Sequence, residues 1–589
     1  MNRPAPAREL AIAFAAYLLL ALAVSWPLAR DFTSRLIGEI AFDQRNTLWI
    51  FWHVEQALVG REPWFSTNLL YYPHGVSTLI NAVGPLSGIF ALPFSPWGPI
   101  AAYNGAMLVG LAASGWCMYL LARHGAALPF SASLFAGAVF LIWPIHLSGL
   151  YGHIEKVFTG LLPLSLLAGL RAYDPERARA WLAAPAAVLL IALLHHGNQF
   201  LFAMIGLVLL AGSELAARRR AAWRPVAARV LAAGALALVV TAPLTIAMAI
   251  AARDPSFFVT VSDYSAYYSP DLLQLAAPSI HQAALGPLFY PAYQDVMADF
   301  TRRSVLASLT ARDGWYGSGV ETAVTIPLSC LALAATAAIG RRREAGRYLL
   351  LAGVFTLLAL GPTLRVAGSA VAMLPYAWLM RAPGFEVMRT PGRFMMMASV
   401  GFALAAAAGL APLIGRPRRR WAAIAVTLLV LVECWPRPWP QQTPLPVPAF
   451  YERIARESDA YAVLDLPPAY QSGSLASAYQ YYQLTHRKPI AWGYLSRPFL
   501  TYPVPGLVGI LDPRAPDPIG TRARLAELGY RYVVWHKRHA ELFESHESRD
   551  NQPSIETRTN AFLAEAFAGE QPIADDELVT VYRIDRPSP

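Results

Sequence analysis

The chain has 589 residues, of which 56% are hydrophobic and only 15% are charged. A soluble domain normally carries about 25% charged residues, so the deficit indicates that lipid is the solvent for much of the chain. The net charge of +10 lies mostly in short arginine clusters between apolar runs, such as residues 218–220. This positive-inside pattern is typical of membrane proteins and argues against a nucleic-acid partner.

The apolar runs predict a polytopic α-helical membrane protein with about eleven transmembrane helices and a cytoplasmic N-terminus. The first run follows Arg3 and Arg8, which places the next loop outside. Arginines fill the short connections predicted to be cytoplasmic, whereas the short outer connections carry only Lys156. One missed helix would invert every later loop, so the agreement supports the count. The predicted spans are residues 10–28, 102–122, 128–147, 156–171, 181–196, 199–216, 228–251, 322–340, 348–366, 394–414 and 421–435.

The predicted spans define a transmembrane domain at residues 1–435. Two long loops interrupt it, and a linker follows it. Residues 30–100 form the first outer loop with juxtamembrane helices, because its aromatic and proline-rich stretches are too polar or too short to cross. Residues 253–320 form a second outer loop, and a proline-rich linker covers residues 436–448.

Residues 449–589 have the composition of a soluble domain, which the topology places on the extracytoplasmic side of the membrane. Alternating apolar residues predict strands at 461–466, 530–536 and 578–584. Helical periodicity predicts helices at 519–528 and 560–567. This C-terminal region is therefore expected to be a small α/β domain.

Asp43 lies in the first outer loop, directly before an aromatic, amphipathic segment. A carboxylate just outside the first span suits a general base or a metal ligand. The alternative is an ordinary loop acid or a helix N-cap, because a helical pattern begins shortly after it.

Histidines mark the outer ends of the predicted helices. His146 and His153 flank the end of the third span, and His195 and His196 end the fifth. Ionisable groups near membrane depth are costly and usually face a polar cavity. Together with Glu155, Lys156 and the loop residue His74, they are candidates to line a site, bind a divalent metal or hold an anionic headgroup. The alternative is a set of interfacial histidines without a catalytic role.

Three arginines, Arg381, Arg389 and Arg393, cluster at the outer mouth of a predicted helix. Arginine suits bidentate phosphate binding, and these residues are on the side where orientation does not require basic residues. Snorkelling to lipid headgroups is the alternative interpretation. The chain has no P-loop and no dinucleotide-binding glycine motif, so nucleotide-dependent transport is unsupported.

The order of one span, a large outer loop with an early acid, many spans and a soluble outer region resembles the GT-C superfamily of integral membrane glycosyltransferases. Within it, the chain is most similar to a group of large bacterial membrane proteins. The matching stretches are residues 52–75, 98–99, 102–104, 119–123, 143–144, 146, 152–153, 360–362, 389–394, 482–490 and 493–497.

The resemblance implies an enzyme of the hexosyltransferase type in the inner membrane, with a polyprenyl-phosphate-linked sugar as donor and a lipid or glycan as acceptor. It implies that Asp43 acts as catalytic base or metal ligand. Basic residues, here Lys156, Arg381, Arg389 and Arg393, would hold the lipid phosphate. The family often has a paired acid where this chain has Asp43-Gln44. No cofactor is implied beyond a possible divalent metal.

Two other functions fit parts of the sequence. A lipid-intermediate or polysaccharide flippase would place ionisable residues along its spans, yet these spans are nearly free of charge. A non-catalytic scaffold that kept the GT-C fold is compatible with Gln44.

Overall fold

The computed structural model describes residues 7–39, 41–218, 223–253, 265, 268–289, 320–340, 343–382, 385, 388–415, 420–469, 473–495, 517–539 and 555–584. The chain divides into two compact units. The first unit comprises Met1–Glu39, Tyr103–Ile246 and Val259–Gln441. The second comprises Ile40–Ala102, Ala247–Phe258 and Gln442–Pro589, so residues 40–100 of the predicted first outer loop belong to the same unit as the C-terminal region.

The first unit is built mainly from apolar helices. Its longer helices, some of which continue into short 3-10 or π turns, are Ala7–Val24, Pro99–Leu120, Phe130–Leu141, Leu161–Tyr173, Ala183–His195, Gly197–Ala217, Trp223–Ala251, Leu328–Ile339, Arg343–Ala359, Met395–Ile414 and Arg420–Cys434. Short helical turns lie at Leu121–Gly125, Pro144–Leu147, Ser148–Tyr151, Ile154–Val157, Arg179–Leu182, Leu272–Leu275, Gly286–Phe289, Tyr376–Leu379 and Pro391–Phe394. A short strand lies at Leu36–Ile37, the strand Gln441–Gln442 begins at the last residue of this unit, and a hairpin pairs Thr363–Val366 with Ser369–Met373.

Within the described ranges, five helices are long and apolar enough to cross a membrane: Ala7–Val24, Pro99–Gly125, Gly197–Ala217, Trp223–Ala251 and Pro391–Ile414. Phe130–Leu141 and Pro144–Tyr151 form a sixth span if the bent pair counts as one. Five further apolar helices are shorter, with 10–17 residues. The chain is therefore a mostly helical, multi-pass membrane protein, and helix length alone supports fewer crossings than eleven.

Two predicted spans are interrupted for local chemical reasons. The predicted span at 128–147 bends by 47° at Trp143, which precedes Pro144. The proline ring disfavours the helical conformation of the residue before it. The predicted span at 348–366 ends at Ala359. Gly361 follows with φ +78°, and a side chain there would clash with the Ser269 hydroxyl, so the chain turns into the hairpin instead.

The second unit combines a sheet with short helices. Its helical segments are Ala41–Leu58, Pro85–Ala91, Leu92–Trp97, Ala449–Ile454, Gly473–His486, Pro518–Glu527 and Ile555–Ala566. Ser66–Thr67 and Val76–Ser77 form a small hairpin. The main sheet has the strand order Ala462–Leu466, Tyr530–His536, Val579–Arg583, Ala574–Asp575, in which the first pair is parallel and the others are antiparallel.

The Ala41–Leu58 helix packs against the Gly473–His486 helix. The indole nitrogen of Trp49 donates a hydrogen bond to Gln483 Oε1 at 2.6 Å. The side-chain amide of Gln483 in turn donates to the Leu69 carbonyl at 2.7 Å. Trp49 and Gln483 are fully buried, so these bonds are shielded from water and fix the Ala41–Leu58 helix and the segment at Leu69 to the Gly473–His486 helix.

A cluster of aromatic, histidine and aspartate side chains fills the centre of the second unit. Asp465 Oδ1 accepts a hydrogen bond from Tyr451 and lies 3.0 Å from His536 Nε2. The rings of His536 and His539 stack at 4.4 Å, and Tyr482 lies 3.1 Å from His539 Nε2. Burial lowers the pKa of His536 to about 3 and raises the pKa of Asp465 to about 6. Burial, His536 and Arg45 lower the pKa of His539 to about 2.

We expect acid to destabilise the protein less when His539 is replaced by phenylalanine. A histidine whose folded pKa is depressed contributes full stability above its unfolded pKa of about 6.5, and this contribution is lost as the pH falls. Asp465 opposes this trend, because its raised pKa favours the folded state at low pH. Thermal unfolding in detergent at pH 7 and pH 5 should show a loss smaller by about 2 kcal/mol in His539→Phe than in the unsubstituted protein. Equal losses would contradict the prediction.

Candidate functional site

Five charged or titratable side chains of the first unit meet in one place, here called the buried ion cluster: His153, Glu155, Lys156, Glu321 and Arg393. Arg393 Nη1 lies 3.0 Å from Glu155 Oε1, and Arg393 Nε donates to Glu321 Oε2 at 2.9 Å. Lys156 Nζ lies 3.7 Å from Glu321 Oε2. The two ring nitrogens of His153 face Glu155 at 3.4 Å and Glu321 at 3.5 Å. One arginine thus joins two carboxylates that are 166 residues apart by number, as 321 − 155.

The local sequence explains how these segments approach each other. Gly152 adopts φ +147° and turns the chain before the short Ile154–Val157 helix, which carries Glu155 and Lys156. Gly392 lies against the Glu321 carbonyl oxygen, where any side chain would clash. Glycine at this position therefore allows the Pro391–Phe394 turn to bring Arg393 to Glu321.

Lys156 is the most deeply buried member of the cluster, with no exposed surface. Its ammonium donates to the Val320 carbonyl at 2.8 Å and to Ser148 Oγ at 3.1 Å. These bonds replace water around the charge, which a buried ammonium requires. Lys156 therefore ties the segment before the Leu328–Ile339 helix to the turn at Ser148.

The cations keep both carboxylates ionised. Burial alone would raise the pKa of Glu155, but Arg393 and His153 hold it well below its usual range. Burial likewise opposes ionisation of Glu321, and Arg393 and Lys156 hold its pKa well below the usual value. The charges of the two carboxylates are therefore balanced by those of Arg393 and Lys156, and His153 lies between the carboxylates.

Within the ranges that the structure describes, no group of three or more histidine, cysteine, aspartate or glutamate side chains is arranged to hold a metal ion. The carboxylates of Glu155 and Glu321 are instead paired with Arg393 and Lys156. The divalent metal considered from the sequence stays a prediction.

Three of the predicted histidines are buried and hydrogen-bonded around the ion cluster. His146 Nε2 lies 3.0 Å from Ser399 Oγ, and its Nδ1 lies 3.3 Å from the Lys156 carbonyl. His195 Nε2 lies 3.0 Å from the Phe158 carbonyl. His196 accepts from the Asn198 amide and caps the Gly197–Ala217 helix. His146 and His195 therefore support the backbone that carries Lys156.

Sequence reasoning missed two residues of this site. Glu321 was overlooked because it directly precedes a predicted span, although an acid at such an edge is itself a sign of a polar site. Gln199 donates to the Glu155 and Phe158 carbonyls, each at 2.7 Å, and so fixes the turn behind Glu155. Its sequence signal is a polar side chain at the start of an apolar helix.

The other two predicted arginines lie on the segment before Arg393. Arg381 is exposed and follows the Tyr376–Leu379 turn, whereas Arg389 is half-buried. The hydroxyl of Tyr376 donates to the Met388 carbonyl at 2.8 Å, which anchors the chain next to Arg389. Both arginines therefore keep exposed surface, whereas Lys156 is fully buried.

Asp43 and His74 belong to the second unit. Asp43 is half-buried in the first turn of the Ala41–Leu58 helix, where the helix dipole favours a negative charge. Its Oδ1 accepts a hydrogen bond from the Tyr494 hydroxyl at 3.0 Å. His74 is exposed, and its backbone amide donates to the Tyr71 carbonyl at 2.9 Å. The predicted site residues thus form two sets, one in each unit.

The chain is a mostly helical, multi-pass membrane protein, and its fold is similar to that of solved membrane-protein structures. Arabinofuranosyltransferase AftD from mycobacteria matches with a TM-score of 0.53 and 15% identity, covering 99% of this chain and 40% of AftD. Its R1389S variant gives a TM-score of 0.54 at 16% identity over 99% of this chain and 42% of that one. ArnT from Cupriavidus metallidurans, bound to undecaprenyl phosphate, gives 0.44 at 14% identity over 98% and 99%.

Residues 10–435 match the family model described as "Domain of unknown function (DUF6311)", and the chain belongs to this family. No curated protein sequence matches the chain. The chain spans about 40% of the length of AftD, and the likeness in structure establishes the fold.

Proposed function

We propose that the protein is a membrane glycosyltransferase that moves a sugar from a polyprenyl-phosphate donor to a lipid or glycan acceptor. The reaction takes place on the outer face of the inner membrane. The observation that carries the proposal is the GT-C fold shared with AftD over 99% of this chain. The proposed topology has a cytoplasmic N-terminus, about eleven crossings and an extracytoplasmic C-terminal domain, as the distribution of arginines predicts.

Chemistry outside the cytoplasm constrains the donor. Nucleotide sugars are not available there, so an activated sugar has to be carried by the membrane. A polyprenyl phosphate that leaves from the sugar develops negative charge, which fixed cations stabilise. The acceptor hydroxyl needs a base, for which a carboxylate is suited. We assign the base to Asp43.

The burial of each predicted cation decides its proposed role. Arg381 and Arg389 have surface available to a phosphate, so we assign direct phosphate contact to them. Lys156 and Arg393 already bind carboxylates in the buried ion cluster. We propose that they contribute to phosphate binding by fixing the turn at Arg393 and by compensating the charge of Glu155.

We propose that His153 and Glu155 line a cavity at the outer leaflet. His146, His195 and His196 are the further cavity-lining candidates, and they stabilise the segment that carries these two residues. We propose His74, which belongs to the second unit, as a further cavity-lining residue. The C-terminal domain would help to bind the acceptor. These assignments rest on the GT-C fold and on the distribution of polar side chains described above.

Binding of undecaprenyl phosphate tests the phosphate assignment. Arg389→Ala and Arg381→Ala should each weaken binding by about tenfold, because one charge-assisted hydrogen bond contributes about 1.5–3 kcal/mol. Microscale thermophoresis of the purified protein in detergent provides the measurement. Arg61→Ala, at an exposed arginine of the second unit, is the matched control and should bind normally. Unchanged affinity in both test variants would refute the assignment.

A further inference from the structure

We infer that Tyr494 is the positioning residue of Asp43, and that a hydroxyl from the C-terminal region orients the acid of the first outer loop. The inference rests on the proposed function, in which Asp43 is the base. Tyr494 lies in the stretch 493–497, one of the stretches in which the sequence resembles the family. The proposed reaction assigns no other role to it.

The geometry of the hydrogen bond carries this inference. The Tyr494 hydroxyl donates to Asp43 Oδ1 at 3.0 Å, across a separation of 451 residues. A bond to one carboxylate oxygen fixes the rotation of the whole group, and therefore also the direction of Oδ2. General-base catalysis depends on such orientation, because the base has to be within hydrogen-bond reach of the proton that it removes.

Neighbouring residues hold the tyrosine itself in place. The ring of Phe42 meets the Tyr494 ring edge to face at 5.5 Å and 84°. The side-chain amide of Asn46 donates to the Tyr494 carbonyl at 2.5 Å. The first turn of one helix therefore contacts Tyr494 through three side chains, those of Phe42, Asp43 and Asn46.

The start of the Gly473–His486 helix closes the other side. A Cβ on Gly473 would lie 3.1 Å from the Tyr494 ring, so glycine leaves just enough space for the ring. Arg45 Nη1 donates to the Ser474 carbonyl at 3.3 Å, which clamps the turn carrying Asp43 to the same helix. Arg45 lies two residues after Asp43 on the same helix, and burial lowers the pKa of its guanidinium.

In the proposed reaction, the acceptor oxygen attacks the anomeric carbon of the donor sugar. Asp43 takes the hydroxyl proton as the new carbon–oxygen bond forms. Polyprenyl phosphate leaves with the electron pair of the broken carbon–oxygen bond. Tyr494 donates to the carboxylate, which favours its ionised form and keeps it ready to accept the proton.

Titration of Asp43 by isotope-edited infrared spectroscopy tests the inference without any substrate. Asp43→Asn identifies the carboxyl band by its loss. Tyr494→Phe keeps the ring against Phe42 and removes only the hydroxyl, so we expect the pKa of Asp43 to rise by about one unit, a tenfold gain in proton affinity. The control is Tyr582→Phe, because phenylalanine preserves the stack on Phe567 at 4.6 Å. An unchanged Asp43 titration in Tyr494→Phe would overturn the inference.

Kinetics then separate this inference from the proposed function. With an undecaprenyl-phosphoryl sugar as donor, Tyr494→Phe should lower kcat by about tenfold and leave KM for the donor nearly unchanged. If the pKa of Asp43 rises in Tyr494→Phe but Asp43→Asn is fully active, Tyr494 still orients Asp43, and Asp43 is not the base. An unshifted pKa with an inactive Asp43→Asn would keep the base and remove Tyr494 as its positioning residue.

Discussion

Replacing Asp43 by asparagine is expected to abolish sugar transfer while leaving the protein folded. Asparagine has nearly the same shape and its amide oxygen still accepts a hydrogen bond from Tyr494, but it cannot take the proton of an acceptor hydroxyl. Loss of a general base lowers the rate by about 10²- to 10⁴-fold. The measurement is the transfer of labelled sugar from a panel of undecaprenyl-phosphoryl sugars in membranes that contain the protein, with glycan extracts as acceptors.

Asp31 offers a matched control for this substitution. It is an acid shortly before Asp43 in the chain, and its carboxylate pairs with Arg30 at 2.8 Å. Asp31→Asn should leave transfer unchanged, because a surface ion pair contributes little to stability and the residue has no proposed role in the reaction. Transfer by Asp43→Asn at the unsubstituted rate would exclude Asp43 as the base.

Replacing Arg393 by methionine is expected to cause the largest loss of stability. Arg393 bridges Glu155 and Glu321, which are 3% and 5% exposed. Without the arginine, the two buried carboxylates are left with Lys156 and His153 as neighbours. Breaking a buried ion pair by removing one partner costs about 3–5 kcal/mol. Thermal unfolding in detergent should show a marked drop in Tm, together with a lower yield of folded protein.

A second substitution distinguishes this electrostatic cause from a simple loss of packing. Arg393→Met combined with Glu155→Gln leaves one anion, Glu321, facing one cation, Lys156, and should recover most of the lost stability. Arg524→Ala is the control, since its pair with Glu527 is exposed and contributes less than about 1 kcal/mol. Equal Tm values for the single and double variants would contradict the charge argument.

Local chemistry explains why parts of the fold were predictable. The strands predicted at 461–466, 530–536 and 578–584 are present as Ala462–Leu466, Tyr530–His536 and Val579–Arg583. Their β-branched and aromatic residues form a pattern that needs no knowledge of distant contacts. The helix predicted at 519–528 is present as Pro518–Glu527, capped by the Asp517 side chain.

The interruptions of the helices were harder to predict. The span predicted at 156–171 begins as a continuous helix only at Leu161, and Ile154–Val157 forms a separate short helix before it. The cause is the tertiary environment, because Lys156 and Glu155 gain their partners from residues far along the chain. Apolar composition identifies membrane segments but does not reveal where a helix breaks to build a polar centre.

The pairing of site residues depends on long-range contacts that no local pattern encodes. Arg393 was predicted as a phosphate ligand because arginine suits that role, but the structure pairs it with Glu321, 72 residues away. Asp43 was singled out from its local sequence alone, whereas its contact with Tyr494 links segments 451 residues apart. The sequence therefore predicts which residue types lie in polar segments, and folding decides which of them meet.

Cysteine labelling of intact cells tests most directly the claim that the acid and the C-terminal region face the outer side. The natural cysteines are buried, so new ones at exposed positions report cleanly. Arg61→Cys and Arg524→Cys should react with a membrane-impermeant maleimide in intact cells, because both lie in the second unit. Arg177→Cys should react only after permeabilisation. Labelling of residue 61 or 524 only after permeabilisation would contradict the outer-face glycosyltransferase.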